Sequence, residues 1–508
     1  MHYKDLKRIL HFIILITPFF ILIGWFYFKV FQFQYLNEVF PDGIAALQLS
    51  RGWLEGRPLL FDTYTGFHAL QHNYYFILLV GFVTKFTGIY GLFIVYLGLL
   101  GVFLGKWSYW VRSHHQHSWR NEWTAVAFFT VGPVAFHIFW DYLGWHPEQY
   151  FIPLMSLLAF SLARRRWVEA VVWGVLVLSV KETAPVLIFG LLLFASVAVS
   201  VLKTPQLTWY KHYFNRQNIL ILIGCLGLFF LSVWWLSYLN GPKPSRVGLI
   251  FTHIQQQSSL SQWLLYTVVL AMLSIFSLLY AILPFIAWLR VTPKPWIIFG
   301  ALVGSGCILC FVFYIEGLYY FPLLNSGLRY PPRIGGLWGF VTACYVFGAV
   351  RWVEAGLKPP ANQQEVTVFW GASQFIFSLL LVSNDQFQLQ NINDPKKHFE
   401  FISKYKLGFQ PYPKQPSKKL YELAQKLPKG AEVLCEKEYL SIFQRVYATS
   451  WTWKQHPAFF SQPLLYIYNK KDLGKNTEYI FPKTGYTTIP NNELLILADS
   501  QWYNQHYK

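Results

Sequence analysis

Long apolar segments separated by short polar loops fill residues 1–383 of the chain. An apolar segment of about 20 residues satisfies its own backbone hydrogen bonds as a helix and can span the hydrocarbon of a bilayer. The first segment follows three basic residues but lacks a small-residue cleavage site, so we expect an uncleaved transmembrane helix. The pattern predicts about eleven spans, at residues 9–30, 89–111, 123–139, 149–163, 167–180, 183–202, 218–238, 263–289, 295–315, 334–350 and 366–383.

One apolar segment, residues 73–86, is shorter than a span requires. If it crossed the bilayer, the basic stretch 112–120 would face the outside, whereas basic loops usually stay in the cytoplasm. We therefore expect this segment to form a juxtamembrane or re-entrant helix. It follows a long first outer loop, residues 31–72, in which turn residues and an amphipathic run predict surface helices.

The charge distribution indicates which side of the membrane each loop occupies. The net charge is +18, yet only 13% of the residues are charged and 54% are hydrophobic. Basic residues gather in the loops after alternate spans, which predicts a multi-pass protein of the plasma (inner) membrane with a cytoplasmic N-terminus. Because this arrangement explains the positive charge, we expect no nucleic-acid partner. An odd number of spans then places the C-terminal part outside the cytoplasm.

The composition changes from apolar to polar after residue 383. Residues 384–416 are rich in Asn, Gln, Lys and Pro and are interpreted as a linker, and residues 417–508 are long enough for a small domain. Hydrophobic periodicity in that domain predicts a helix and two short buried strands, at 418–427, 431–435 and 494–498. The predicted fold is an all-α polytopic membrane domain, residues 1–383, followed by a small extracytoplasmic α/β domain.

The five cysteines do not form a disulfide framework, because four of them lie in apolar segments and Cys435 is alone in the polar C-terminal part. Cys307 and Cys310 have the spacing of metal ligands, but no second pair accompanies them. Helix packing is the favoured interpretation, and no metal site is predicted.

Asp42 is the first candidate for chemistry. It follows the first span in the turn Pro41-Asp42-Gly43 and precedes an amphipathic run. A carboxylate held there at the membrane surface can act as general base on an acceptor hydroxyl. The alternative is a structural Asp that caps a helix beginning at Gly43.

A second outer loop carries three ionisable side chains within eight residues, Asp141, His146 and Glu148. His146 can carry a proton near neutral pH, and Pro147 fixes the backbone so that Glu148 opens the next helix at its positive end. The loop is either a binding element or a tight turn with an acidic residue at the start of a helix.

Two further outer loops contain basic residues. Lys181, beside Glu182, could hold a phosphate as a point charge, or the two residues could form an ion pair that eases a turn through the interface. Arg329 and Tyr330 lie in a loop stiffened by prolines. That loop suits anion binding, although pairing of the Arg with a carboxylate or a lipid headgroup is slightly favoured over it.

Histidines and aromatic residues complete the set of outer-loop candidates. His68 and His72 close the first loop and could reach the same cavity as the carboxylates, or they could be ordinary interfacial residues. Most outer aromatic residues, Tyr74 among them, are interpreted as interface anchors, and a few could stack on a sugar ring.

The order of these features resembles the GT-C superfamily of membrane glycosyltransferases, which use polyprenyl-phosphate-linked sugars. The residues that carry the resemblance are Asp42-Gly43-Ile44, His72, His146-Pro147-Glu148 and Lys181-Glu182. Within the superfamily the chain looks most like a bacterial family of membrane proteins of unknown function. Arg329-Tyr330 resembles a late outer motif of that family, and residues 427–433 resemble part of its C-terminal domain. The family's first-loop His is usually followed closely by Pro, which His72 is not.

The resemblance implies that Asp42 is the catalytic residue in transfer of a sugar from a polyprenyl-phosphate donor to a glycan, lipid or protein acceptor. His72, Asp141, His146, Glu148, Lys181, Glu182, Arg329 and Tyr330 would then bind substrate. Some GT-C enzymes use a divalent metal and others do not; Asp42 and Glu148 could hold one, and none is predicted. The alternatives are a transporter or flippase of lipid-linked glycans and a non-catalytic membrane scaffold.

Overall fold

The computed structural model describes the chain in separate stretches, at residues 20, 22–27, 41–63, 66–67, 72–113, 145–203, 216–240, 331–354, 418–435, 439–440, 442–443, 445–450, 463–470, 484–491 and 494–507. Other predicted features lie outside the described residues, namely the spans at 123–139, 263–289, 295–315 and 366–383, most of the span at 9–30, the linker 384–416, His68, Cys307 and Cys310. Asp141, Arg329 and Tyr330 also lie outside them.

Helices dominate the described part of residues 1–383. Their bounds are α1 Pro41–Arg51, α2 Phe76–Thr87, α3 Tyr90–Ser113, α4 Phe151–Ala163, α5 Trp167–Leu178, α6 Ala184–Lys203, α7 Arg216–Asn240 and α8 Pro331–Glu354. The 3₁₀ turns Gly52–Glu55 and Pro147–Tyr150 follow α1 and precede α4, and the short strands β1 Phe61–Asp62 and β2 Gly66–Phe67 pair in the first loop. Helices α3 to α8 lie within a few residues of segments predicted from hydrophobicity.

Side-chain contacts define the relative directions of α3 and α4. At one end of the helices, which we call the Tyr150 end, the Tyr150 hydroxyl donates a hydrogen bond to the Leu92 carbonyl oxygen (2.8 Å). Toward the other end, called the Ala163 end, the rings of Trp110 and Phe160 pack edge to face with centroids 6.1 Å apart. The two helices therefore run parallel.

Helix α8 also runs parallel to α4. A Cβ atom added at Gly339 would lie 2.7 Å from Cβ of Phe151, so α8 approaches α4 closely near its start. At the other end Arg351 donates to the Ala163 carbonyl oxygen (3.4 Å). The intervening α5 returns toward the Tyr150 end, since it joins α4 through a short turn.

Helix α2, which corresponds to the short segment 73–86, lies across the Tyr150 end. The ring of Phe76, at its first residue, packs on the ring of Tyr150 with centroids 4.9 Å apart. Its last residue, Thr87, is followed by a turn into α3, where Leu92 accepts the hydrogen bond from Tyr150. Both ends of α2 are therefore at the same end of the bundle.

The C-terminal part contains a helix, α9 Lys418–Lys426, a five-stranded sheet and a final helix, α10 Ser500–Tyr507. The strands are β3 Glu432–Cys435, β4 Tyr447–Ser450, β5 Leu465–Asn469, β6 Tyr486–Ile489 and β7 Leu494–Asp499, in the order β4-β3-β5-β7-β6. Strand β3 pairs in parallel with β4 and β5, while β7 is antiparallel to β5 and β6. The predicted helix and both predicted strands are confirmed as local elements.

Helix α1 packs between α2 and the C-terminal sheet. On one side, a Cβ atom added at Gly81 of α2 would lie 2.0 Å from the Ser50 carbonyl oxygen, so only glycine fits this crossing. On the other side, the Gln48 amide donates to the Ala448 carbonyl oxygen of β4 (3.0 Å) and accepts a hydrogen bond from the Thr63 backbone N–H (2.8 Å). Gln48 is almost completely buried.

Arg57 and Tyr447 extend this contact between the first loop and the sheet. The Arg57 guanidinium lies 4.1 Å from the centroid of the Tyr447 ring and pairs with Glu432 of β3 (3.0 Å). The Tyr447 hydroxyl donates to Glu55 (2.6 Å). Burial and the contact with Glu55 raise the pKa of Tyr447, so its hydroxyl remains a donor at neutral pH. The two parts of the chain are therefore joined by a buried and specific set of polar contacts.

Candidate functional site

Four of the predicted site residues lie together at the Tyr150 end. They come from three separate segments: His72 precedes α2, Glu148 belongs to the 3₁₀ turn before α4, and Lys181 and Glu182 form the turn between α5 and α6. We call these four residues, with Tyr74, the buried charge cluster, because each ionisable side chain in it is at most 12% exposed.

The local sequence explains how the turn before α4 presents Glu148. His146 is extended, with φ −119° and ψ 140°, and Pro147 occupies the first position of the 3₁₀ turn, where its missing N–H costs no hydrogen bond. The turn continues directly into α4, so Glu148 lies near the positive end of the helix dipole. The prediction that Pro147 sets Glu148 at the start of the helix is confirmed.

The turn that carries Lys181 and Glu182 is fixed by backbone hydrogen bonds. The Phe76 N–H donates to the Ser179 carbonyl oxygen (2.7 Å), which attaches the start of α2 to the end of α5. The Ala184 N–H donates to the Lys181 carbonyl oxygen (3.0 Å), which begins α6. These bonds bring the segment after His72 and the Lys181–Glu182 turn side by side.

Glu148 and Lys181 form the centre of the buried charge cluster. The Lys181 ammonium lies 3.0 Å from Oε1 of Glu148, and the Tyr74 hydroxyl donates to the same oxygen (2.6 Å). Burial alone would raise the pKa of Glu148, but Lys181, then His146 and His72, and the Tyr74 hydrogen bond lower it from 4.5 to about 2. Glu148 is therefore a carboxylate at neutral pH.

Glu182 binds the segment that leads into α2. Its Oε1 lies 2.8 Å from Nδ1 of His72, and its Oε2 accepts a hydrogen bond from the Asn73 backbone N–H (3.1 Å). The rings of His72 and Tyr74 pack with centroids 4.9 Å apart. His72 is thus held by Glu182 on one side and by the Tyr74 ring on the other, which gives the imidazole a defined orientation.

Oε2 of Glu148 and Oδ1 of Asn73 are buried and have no hydrogen-bond partner among the described residues. Buried polar atoms in native structures are nearly always hydrogen-bonded, because leaving one unpaired costs about 1–3 kcal/mol. These two acceptors, at the buried charge cluster and next to it, are therefore available to a ligand that donates hydrogen bonds.

Asp42 lies in helix α1, which begins one residue earlier, at Pro41. It therefore belongs to the first turn of the helix. A Cβ atom added at Gly43 would lie 3.5 Å from the backbone nitrogen of Trp145. The start of α1 is consequently adjacent to the segment that leads to Glu148.

Aromatic packing holds that segment in place. The Trp145 ring is buried and packs edge to face against Phe93, Tyr96 and Tyr150, with centroids 4.8, 5.3 and 5.4 Å apart. Each such aromatic pair adds about 0.5–1.5 kcal/mol beyond burial of its area. Trp145 therefore fixes the turn before Glu148.

Sequence reasoning missed Asn73 and the polar role of Tyr74. Tyr74 was interpreted as an interface anchor, yet it donates to a buried carboxylate. Asn73 was noted only because it follows His72 where the family usually has a Pro nearby. The Tyr74 side chain binds a carboxylate that is 74 positions away in the sequence. No local sequence pattern distinguishes such a Tyr from a Tyr that anchors a helix in lipid. The adjacent His72 was the only available signal.

A different group of ion pairs lies at the Ala163 end. Glu169 pairs with Lys106 (2.5 Å) and with Arg166 (3.0 Å), and Glu354 pairs with Arg164 (3.2 Å) and Arg351 (3.0 Å). These partners are partly exposed, so each pair contributes little to stability. Glu169 and Glu354 are thus each matched by basic neighbours.

No metal centre is formed by the residues that the structure describes. Among them, no three or more His, Cys, Asp and Glu side chains are arranged to hold an ion. Glu148 is instead engaged by Lys181 and Tyr74.

Comparisons with known proteins identify no relative. No protein family, curated protein or solved structure matches the chain. The proposals that follow are therefore based on the geometry of the site and on the motifs that resemble GT-C enzymes.

Proposed function

We propose that the chain is a polytopic membrane glycosyltransferase of the GT-C type. It would transfer a sugar from a polyprenyl-phosphate donor to a glycan, lipid or protein acceptor on the non-cytoplasmic face. The observation that carries the proposal is the convergence of three separate sequence motifs in the buried charge cluster, next to the start of the helix that contains Asp42.

The exposed surfaces of the helices support a membrane location. Within the described residues one helix, Tyr90–Trp110, is long and apolar enough to cross a bilayer, and Phe76–Thr87 and Trp167–Leu178 are shorter apolar helices. Helix α5 also exposes a continuous apolar face, with more than half of each side chain accessible, at Trp167, Val168, Val171, Val172 and Val175. Such a patch is unusual on a protein surrounded by water and is expected of a surface that faces lipid.

The distribution of basic residues between the two ends of the bundle indicates on which side of the membrane the proposed site lies. Basic side chains of α3, α8 and the turn between α4 and α5 are gathered at the Ala163 end. The positive-inside rule assigns that end to the cytoplasm. The buried charge cluster is at the opposite end and would therefore face the outer side of the membrane.

The proposed reaction is a direct displacement at the anomeric carbon. The acceptor oxygen forms a bond to that carbon while the bond from the carbon to the phosphate oxygen breaks, and the lipid phosphate leaves with the electron pair. Asp42 accepts the proton of the acceptor hydroxyl. A cation, for which Arg329 is the candidate, would neutralise the departing phosphate. Lys181 was the other candidate, but Glu148 already compensates its charge.

Both alternatives from the sequence fit the geometry less well. A transporter would place ionisable groups near the middle of the bilayer. In the described helices that run along the bundle, charged residues instead lie toward the ends. A scaffold would leave the loops that carry Asp42 and Glu148 on different surfaces, whereas Gly43 and Trp145 are in contact.

Substitution of Asp42 tests the proposal. The full-length chain, reconstituted in vesicles, is given radiolabelled polyprenyl-phosphate sugars, and transfer or release of the sugar is measured. Asp42→Asn should reduce the rate by a factor of about 10²–10⁴, as expected for loss of a general base. Glu422→Gln, an equivalent change at an exposed position of α9, should leave the rate unchanged. Equal rates for Asp42→Asn and the unchanged protein would refute the assignment of the base.

A further inference from the structure

We propose that Asn73 and Glu148 together form a recognition site for sugar hydroxyl groups, an inference that rests on the proposed function. The site consists of the two buried acceptor oxygens, Asn73 Oδ1 and Glu148 Oε2. Neither atom has a donor among the residues that the structure describes. The other carboxylate oxygen of Glu148 is bound by Tyr74 and Lys181, and the Asn73 backbone N–H is bound by Glu182.

The geometry shows why these two atoms belong to one site. Tyr74, the residue after Asn73, donates to Oε1 of Glu148, and the Asn73 N–H donates to Glu182. Glu182 follows Lys181, whose ammonium contacts Oε1 of Glu148. A closed set of contacts therefore links the two residues and fixes the Glu148 carboxylate and the Asn73 backbone before any ligand is present, which lowers the entropic cost of binding.

Charge identifies the chemical class of the ligand. Glu148 and Glu182 contribute two negative charges, while Lys181 and, when protonated, His72 contribute two positive charges. These four side chains therefore have a net charge of zero at most, and His146 is a further positive neighbour of Glu148 when it is protonated. An anionic phosphate at Oε2 would nevertheless lie directly against the Glu148 carboxylate, which Lys181 already compensates, so it gains little there. A neutral hydroxyl that donates a hydrogen bond is favoured instead, and bonds to an ionised acceptor are the stronger kind.

The arrangement also separates the two ends of the donor molecule. Hydroxyl groups of the sugar are bound at Asn73 and Glu148, whereas the phosphate must be bound by other residues of the chain. A hydrophobic pocket distinguishes a hydroxyl from its absence poorly, but a site built from buried acceptors rejects a ligand that leaves them unpaired. The proposed site therefore determines which sugar is accepted.

Two variants remove the acceptors in different ways. Asn73→Leu replaces the amide with an apolar group of similar size. In Glu148→Gln, Tyr74 and Lys181 both donate a hydrogen bond to the Oε1 position, so the oxygen of the Gln amide takes that position. The NH₂ group of the amide then takes the position of Oε2. The change thus converts an acceptor into a donor. Asn73→Leu leaves the Glu148–Lys181 ion pair intact, so it keeps the test valid if Glu148→Gln does not fold.

Native mass spectrometry of the full-length chain supplies the measurement, because it detects two bound lipids in one spectrum. The probes are bare polyprenyl phosphate and a panel of polyprenyl phosphates carrying single pentoses or hexoses. We expect the unchanged protein to prefer at least one sugar-bearing lipid by a factor on the order of ten or more. Both variants should lose this preference and bind the bare lipid within about twofold of the unchanged protein.

The possible results separate this inference from the proposed function. The recognition site is refuted if bare lipid binds and no sugar increases the affinity, or if both variants keep the preference for a sugar-bearing lipid. Either result leaves the proposed glycosyltransferase function standing. If no lipid of either kind binds, the proposed function fails and this site with it. Glu422→Gln is the control and should behave as the unchanged protein does.

Discussion

Replacement of Lys181 by Met would remove the positive charge that compensates Glu148. Both side chains are almost completely buried, with exposed fractions of 6% and 1%, and the ammonium and the carboxylate are 3.0 Å apart. Water cannot replace the lost charge at such a site. Met has a similar length and no charge, so the substitution leaves the shape of the region nearly unchanged and isolates the electrostatic effect.

The expected cost follows from the pKa of Glu148. A shift from 4.5 to about 2 corresponds to about 3 kcal/mol of stabilisation of the carboxylate. This agrees with the ~3–5 kcal/mol that is typical when one partner of a buried ion pair is removed. Lys181 is the largest of the contributions that lower the pKa, so most of this free energy should be lost in Lys181→Met.

The effect should depend on pH with a definite sign. Because the pKa of Glu148 is lowered in the folded protein, its stabilisation is fully present above about pH 4.5 and is lost as the pH falls toward 2. Lys181→Met raises this pKa, so the variant carries an uncompensated carboxylate at neutral pH. The difference in stability between the two proteins should therefore be largest near neutral pH and shrink as the pH falls below 4.5.

Unfolding in mixed micelles with increasing SDS, followed by tryptophan fluorescence, measures the difference at each pH. The double variant Lys181→Met/Glu148→Gln should recover much of the stability, because it leaves no unpaired charge. A pH-independent loss, or a double variant as unstable as Lys181→Met, would show that Lys181 acts through packing rather than through its charge.

Two further substitutions test the packing of helix α1. Gly81→Ala should destabilise the protein by about 1–3 kcal/mol, because the added Cβ would meet the Ser50 carbonyl oxygen. Gly98→Ala is the matched control, because the space around Gly98 is open. Equal unfolding curves for the two variants would contradict the close crossing of α1 and α2. Arg57→Ala should weaken docking of the C-terminal sheet by about 1–2 kcal/mol, since it removes the contacts with Tyr447 and β3. Hydrogen exchange of α1 amides should then increase, and unchanged exchange would mean that Arg57 does not hold the sheet.

Local elements were predictable from the sequence where they had a clear hydrophobic period. Strand β7 alternates buried and partly exposed residues along Leu494–Asp499, and it was predicted within one residue. Strands β4 and β6 were not predicted, because Tyr447–Ser450 and Tyr486–Ile489 contain few apolar residues and little alternation. Their pairing depends on partners distant in sequence, and a local pattern does not contain that information.

The candidate site was predictable as a set of motifs but not as a set of contacts. His146-Pro147-Glu148 and Lys181-Glu182 were conspicuous because ionisable residues are costly between apolar segments. Which partner each side chain takes could not be inferred: Glu182 binds His72, and Lys181 binds Glu148. The long-range hydrogen bond from Tyr74 gave no signal either.

The contact between Gln48 and Ala448 has a consequence for biosynthesis. The two residues are 400 positions apart, so α1 leaves the ribosome long before its partner strand exists. At a synthesis rate of ~5–20 residues per second the delay is roughly 20–80 s. During that time the side of α1 that the sheet later covers lacks its contacts through Gln48 and Arg51. The nascent chain is therefore most vulnerable to proteolysis between the appearance of its first loop and that of its last sheet.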